Sequence, residues 1–242
     1  MKSKCLLTTA AAVAAFLLLA AACLAQATPA PATTAPAAPA DAGALHQQGL
    51  DAFKQKDFKS AVDFADKATK ADPTKAAYFS QLGIAISQRM NEVNFMQMAM
   101  LSGRMRKAFE KSIELDPNHV DGLIGLIRYY SNAPEMAGGS LEKAKEFALR
   151  VQKIVPLQGD VELAQIASKA EDYPEALKHY EAALALKPDS VNLLNSSGKI
   201  LVKLGRKDEA RTRFEAALKL KPDFEPAKKS LAELDAPPAA KN

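Results

Sequence analysis

Tryptophan is absent from this 242-residue chain, cysteine occurs twice and histidine three times. Both cysteines, Cys5 and Cys23, fall in the first 27 residues. Once that segment is removed, the chain has no thiol for a disulfide or for a thiolate metal site. His46, His119 and His179 are scattered with no ligand spacing, which excludes a paired-histidine zinc site. His46 and His179 read as surface residues on helices, and His119 as part of a turn. Aromatic residues make up 6% of the sequence, too few for a base-stacking platform. Charge is nearly balanced, with 32 Lys and Arg against 28 Asp and Glu. Losing Lys2 and Lys4 lowers the formal charge from +4 to +2. No phosphate-binding footprint is expected from such a balance, and the local cluster Lys199, Lys203, Arg206, Lys207, Arg211 and Arg213 reads as a solvated helix face. No nucleic-acid partner is therefore expected.

What is present begins at the N-terminus. Lys2 and Lys4 precede an apolar stretch from about Ala10 to Leu24, followed by the small-x-small run Ala25-Gln26-Ala27. Residues 1–27 read as a signal peptide, with Thr28 as the new N-terminus. Cys23 has a second reading. It follows Leu19-Ala20-Ala21-Ala22 and is similar to the cysteine of a bacterial lipoprotein signal, although Ala20 stands where those signals favour leucine. Either way the product is expected to be exported, as a periplasmic or secreted protein or as an envelope lipoprotein. Membrane contact is expected only if Cys23 is lipidated or the leader is retained. Residues 28–42 are rich in Pro, Ala and Thr and read as an extended tether. Residues 237–242 read as an unstructured tail.

Pro188 and Pro222 lie one fixed period apart, and the same residue types precede each. Ala176, Tyr180 and Ala183 before Pro188 correspond to Ala210, Phe214 and Ala217 before Pro222. A period of this length marks a repeat architecture. In the first copy, Gly49, Phe58, Ala61, Ala68 and Pro73 stand in register with Gly198, Lys207, Ala210, Ala217 and Pro222. A second copy opens with Phe79, Leu82 and Gly83, and ends at Phe109 and Pro117 with extra residues between. A third opens with Leu123, Leu126 and Tyr130 and ends at Pro156, again lengthened. Each copy reads as two helices, since Leu194, Gly198 and Leu201 give one apolar stripe and Ala210, Phe214, Ala217 and Leu218 another. Gly205 separates the two helices.

These positions resemble the tetratricopeptide repeat family over about residues 42–236, with Leu45, Phe79, Leu123 and Leu194 at the family's usual tryptophan place. The resemblance implies an all-α, right-handed superhelix (an α-solenoid) of about five helix pairs. The copies span about residues 43–75, 76–119, 120–158, 159–190 and 191–224, and a capping helix follows at 225–236. It also implies a concave face lined by the first helix of each pair. On that face stand His46, Ser80, Gln88, Asp121, Arg128, Gln165, Lys169, Asn192, Asn195, Lys199 and Lys203. This polar stripe becomes more basic toward the C-terminus. It suits an extended peptide whose backbone bonds to Asn side chains and whose carboxylate meets Arg128, Lys169 or Lys199. The two-carboxylate clamp of chaperone-binding relatives is not recognisable.

Two further motifs have bland readings. Met96, Met98 and Met100, with Met90 and Met105 nearby, offer soft sulfur ligands for Cu(I). Alternate residues on a helix diverge, however, so these methionines read as gap-fillers or an adaptable apolar surface. Ala137-Gly138-Gly139-Ser140 lacks the lysine and the preceding strand of a phosphate loop, and reads as a long turn with Ser140 capping the next helix. No nucleophile–base–acid set assembles. The expectation is an exported, non-catalytic scaffold for protein–protein interaction, needing no cofactor. The alternatives are a lipid-anchored assembly or transport accessory and, third, a copper-binding protein. Self-association through the ends of the stack or the methionine-rich stretch is a further expectation.

Overall fold

The structure, a computed structural model, describes residues 41–235. The leader, its cleavage site, most of the linker and the tail lie outside the described residues. Within them the chain is all-helical and forms five antiparallel pairs and a single final helix. The pairs are α1 (Ala42–Lys54) with α2 (Phe58–Ala71), α3 (Ala76–Arg89) with α4 (Phe95–Leu115), and α5 (Val120–Asn132) with α6 (Leu141–Ile154). Then come α7 (Pro156–Lys169) with α8 (Tyr173–Leu186), α9 (Val191–Lys203) with α10 (Lys207–Leu220), and α11 (Glu225–Asp235). No helix among the described residues is long and apolar enough to cross a membrane.

Short polar residues start α1, α2, α4, α6, α8 and α9 by bonding free backbone N–H groups. Asp57 accepts from Ser60 N at 3.0 Å and Asp172 from Glu175 N at 3.2 Å. Ser140 caps α6 through Lys143 N at 3.2 Å, as its place after the glycines suggests. The turns inside the three regular pairs share one device. Lys56, Glu171 and Gly205 occupy the same register place, with φ of 62°, 59° and 75°.

Packing follows the small-against-aromatic pattern. A Cβ built on Gly198 would stand 2.4 Å from the Phe214 ring, so only glycine admits that ring between α9 and α10. Phe109 fills the same role in the second pair and also touches the third, lying 2.6 Å from a Cβ on Gly83 and 2.4 Å from one on Gly125. In the third pair the sizes are exchanged. Ile127 stands where the second and fifth pairs have glycine, and Ala148 where they have the aromatic ring; both are buried. The exchange conserves volume, the kind of change that cores tolerate best.

The period breaks in three places. Helix α4 has 21 residues against 14 in α10, about two extra turns at its start. The turn between α5 and α6 is lengthened, and it is held shut by Ser140 N donating to Tyr130 O at 2.9 Å and Tyr129 OH donating to Ala137 O at 2.7 Å. The third break is a shortening. Val155 alone separates α6 from α7, and Pro156 is the first residue of α7. Pro156 therefore opens the fourth pair instead of ending the third, and the boundary expected at residue 159 moves upstream. The joint is tight because Gly159 has no side chain, since a Cβ there would lie 2.1 Å from Gln152 Cα. The apolar core divides near this joint. One cluster runs from α1 to Leu163 and Ile166 of α7, and a second from Ala164 to α11.

Candidate binding groove

Most neighbouring first helices touch: α1 meets α3, α3 meets α5 and α5 meets α7, while α9 meets α11; α7 and α9 do not pack together to that extent. Among the described residues no two consecutive second helices pack together to a comparable extent. Helices close on one side and spread on the other bend the stack, so α1, α3, α5, α7 and α9 form its inner face.

The stripe expected on that face separates into two groups. Asp121, Arg128, Gln165, Lys169, Asn192, Lys199 and Lys203 are exposed or half-exposed, and Gln88 is half-buried. Ser80, Asn195 and His46 are taken up by internal contacts. Ser80 is buried; its hydroxyl donates to Ala77 O at 3.0 Å and lies 2.9 Å from His119 Nε2. Asn195 is buried, and its Oδ1 accepts from Ser230 Oγ of α11 at 3.1 Å. His46 is half-buried with its ring 4.7 Å from that of Tyr78 and no hydrogen-bond partner for Nδ1. Burial lowers its pKa below the ordinary histidine value. The methionines are dispersed on α4: Met96 and Met100 are exposed, while Met105 is buried.

Beneath the inner face lies a polar network absent from the expected stripe. Asp160 stands in register with Leu45, Phe79, Leu123 and Leu194, yet it is only 6% exposed. Its Oδ1 accepts from Gln152 Nε2 at 2.6 Å and lies 2.9 Å from His179 Nδ1. The other nitrogen of His179 is 3.3 Å from Glu175 Oε1. His179, expected on the surface, is thus held between two carboxylates of α7 and α8. Two residues on, Glu162 is buried with Oε1 accepting from Gln158 Nε2 at 2.7 Å. Burial raises the Glu162 pKa, opposed by the Gln158 bond and the nearby Arg128 charge. The signal for this network was an acid in a register place that other copies give to Leu or Phe. Toward the N-terminus the inner face is apolar instead, through the half-buried Leu50, Phe53 and Ile84.

This arrangement can hold a chain by hydrogen bonds and charge. Among the described residues no group of His, Cys, Asp and Glu is placed to hold a metal ion.

The family model for the tetratricopeptide repeat matches residues 161–224. Among solved structures, a tetratricopeptide repeat protein of Thermus thermophilus, TTC0263, is 16% identical and superposes with a TM-score of 0.61 over 80% of this chain and 98% of its own. YrrB, described as having an unusual peptide-binding site, is 14% identical, with a TM-score of 0.56 over 79% of this chain and 92% of its own. MamA is 20% identical, with a TM-score of 0.55 over 81% and 98%. The helix pairs, the ring-on-glycine packing and these matches agree: residues 161–224 match the tetratricopeptide repeat, and the described residues share the fold of tetratricopeptide repeat proteins.

Proposed function

We propose that this protein is a non-catalytic scaffold that holds an extended segment of a partner protein along its inner face, outside the cytoplasm. The observation that carries this reading is the exposed polar stripe on α5, α7 and α9. The fold shared with YrrB, a structure with a peptide-binding site, supports it. The leader pattern supports a periplasmic location, and Cys23 supports the alternative of an envelope lipoprotein that assists assembly or transport. Intact mass of the membrane fraction separates the two: a diacyl adduct on Cys23 favours the lipoprotein.

A photo-crosslinking side chain placed at Gln165 of α7 tests the groove. Crosslinks to a partner are expected from Gln165 and not from the exposed Lys219 of α10. Crosslinks from Lys219 alone would refute the inner-face reading.

A further inference from the structure

Two register places, one helical turn apart, face outward from each first helix of the last three pairs. They hold Arg128 and Asn132 on α5, Gln165 and Lys169 on α7, and Lys199 and Lys203 on α9, all exposed. This set contains four cations, two amides and no acid. In α1 and α3 the same places hold Leu50 and Lys54, then Ile84 and Gln88, and Lys54 is paired with Asp51 at 3.3 Å. The stripe therefore changes character at α5.

One cation of this patch, Arg128, is free in a way that the other arginines are not. Arg128 is the one arginine among the described residues whose side chain has neither an ion pair nor a hydrogen bond. Arg89, Arg104, Arg106, Arg206, Arg211 and Arg213 have carboxylate partners, and Arg150 donates to Pro117 O. Lys199 and Lys203 likewise have no carboxylate within ion-pair distance, and Lys169 meets only Asn132 Oδ1, at 2.7 Å. Glu162, an acid that feels the Arg128 charge, is buried and bonded to Gln158. Asp121 lies at the opposite margin, in the first turn of α5.

Resting on the groove reading above, we propose that this half of the inner face binds an acidic, extended protein segment with a carboxylate at every third residue. The spacing follows from dimensions. Packed helices lie about 8–10 Å apart, and an extended or polyproline-like chain advances about 3.1–3.3 Å per residue. Three residues therefore carry the chain from Arg128 to the row on α7, which packs on α5, and Lys199 lies further along the same face. No exposed aromatic side chain stands at these places, so the surface matches carboxylates rather than stacked bases. Apolar residues of the same segment would fall over Ile84 and Leu50.

The test uses the full-length chain and fluorescence anisotropy. The probe is a labelled Ser/Ala peptide with aspartate at every third residue; a peptide of the same composition with its aspartates adjacent is the comparison. The spaced peptide is expected to bind more tightly, less so as salt rises. Binding should weaken about tenfold or more in R128E/K199E and stay unchanged in K107E/K219E, which alters exposed lysines of second helices. If circular dichroism shows R128E/K199E misfolded, R128Q/K199Q replaces it, with a smaller loss in the same direction. Equal binding of the two peptides, binding indifferent to these substitutions, or tighter binding of a single-stranded oligonucleotide overturns the proposal. Crosslinking from Gln165 is a separate readout. If it persists while the peptides fail, the groove stands and only its acidic specificity falls.

Discussion

Side chains with one polar atom out of place dominate the local chemistry of this protein. Glu162 pairs an almost fully buried carboxyl with a single amide donor. Burial raises its pKa, so the folded chain keeps that proton to a higher pH than the unfolded chain does. The sign follows: the group's contribution to stability is complete below the ordinary glutamate value of 4.5 and is lost as pH rises through the raised value. Glu162→Gln should therefore raise the melting temperature at pH 7, and the gain should shrink toward zero near pH 4; an equal gain at both pH values would contradict the assignment. The turns offer a second test. Glu171 adopts φ 59°, the conformation that Gly205 takes in the next copy. A non-glycine residue there costs about 1–2 kcal/mol. Glu171→Gly should stabilise by about 0.5–1 kcal/mol after the added unfolded-state entropy of glycine, read as a higher urea midpoint.

At the scale of the helix, α4 is the element that departs most from its siblings. Its added turns carry Phe95, Met96 and Met100, exposed at 80%, 75% and 75%. Residues 93–103 contain no charge at all. Mild peroxide should convert Met96, Met100 and the exposed Met136 of the next pair's long turn to sulfoxides while helicity stays constant. Met105, buried against the core, should resist until the chain unfolds. Peptide mass mapping gives the order of reaction. The sequence shows where the period is interrupted here, because Phe109 and Pro117 arrive late. It does not show that the added residues lengthen a helix, since an uncharged Met-rich run suits helix and loop alike. The groove was legible to a similar depth. Helical spacing found Arg128, Lys169, Lys199 and their exposed neighbours, but Ser80 and Asn195 are claimed by His119 at the start of α5 and Ser230 of α11, each one pair further along. No pattern within one copy reports what the next copy brings. Asp160 is the opposite case, a departure visible in register whose partners Gln152 and His179 only the fold could supply.

Across the whole molecule, the stack ends in a helix that satisfies groups the last pair leaves open. Helix α11 brings Ser230 to Asn195 and pairs Asp235 with Arg211. Leu231 and Leu234 lie against the second apolar cluster. Removing residues 225–242 uncovers the apolar side of α9 and α10, and a solenoid without its cap self-associates. Size-exclusion chromatography should show concentration-dependent larger species, while an unchanged elution volume would mean that the cap is dispensable. The joint at Val155 matters in another respect. Elsewhere in the stack four-residue connections join adjoining pairs, as discs join vertebrae. Here one residue and the contact of Gly159 with Gln152 fuse two vertebrae within the basic part of the inner face, between Arg128 of α5 and Lys169 of α7. A ligand lying across α5 and α7 meets a template of fixed pitch and must match its length, because the protein has no slack at that point with which to follow the ligand.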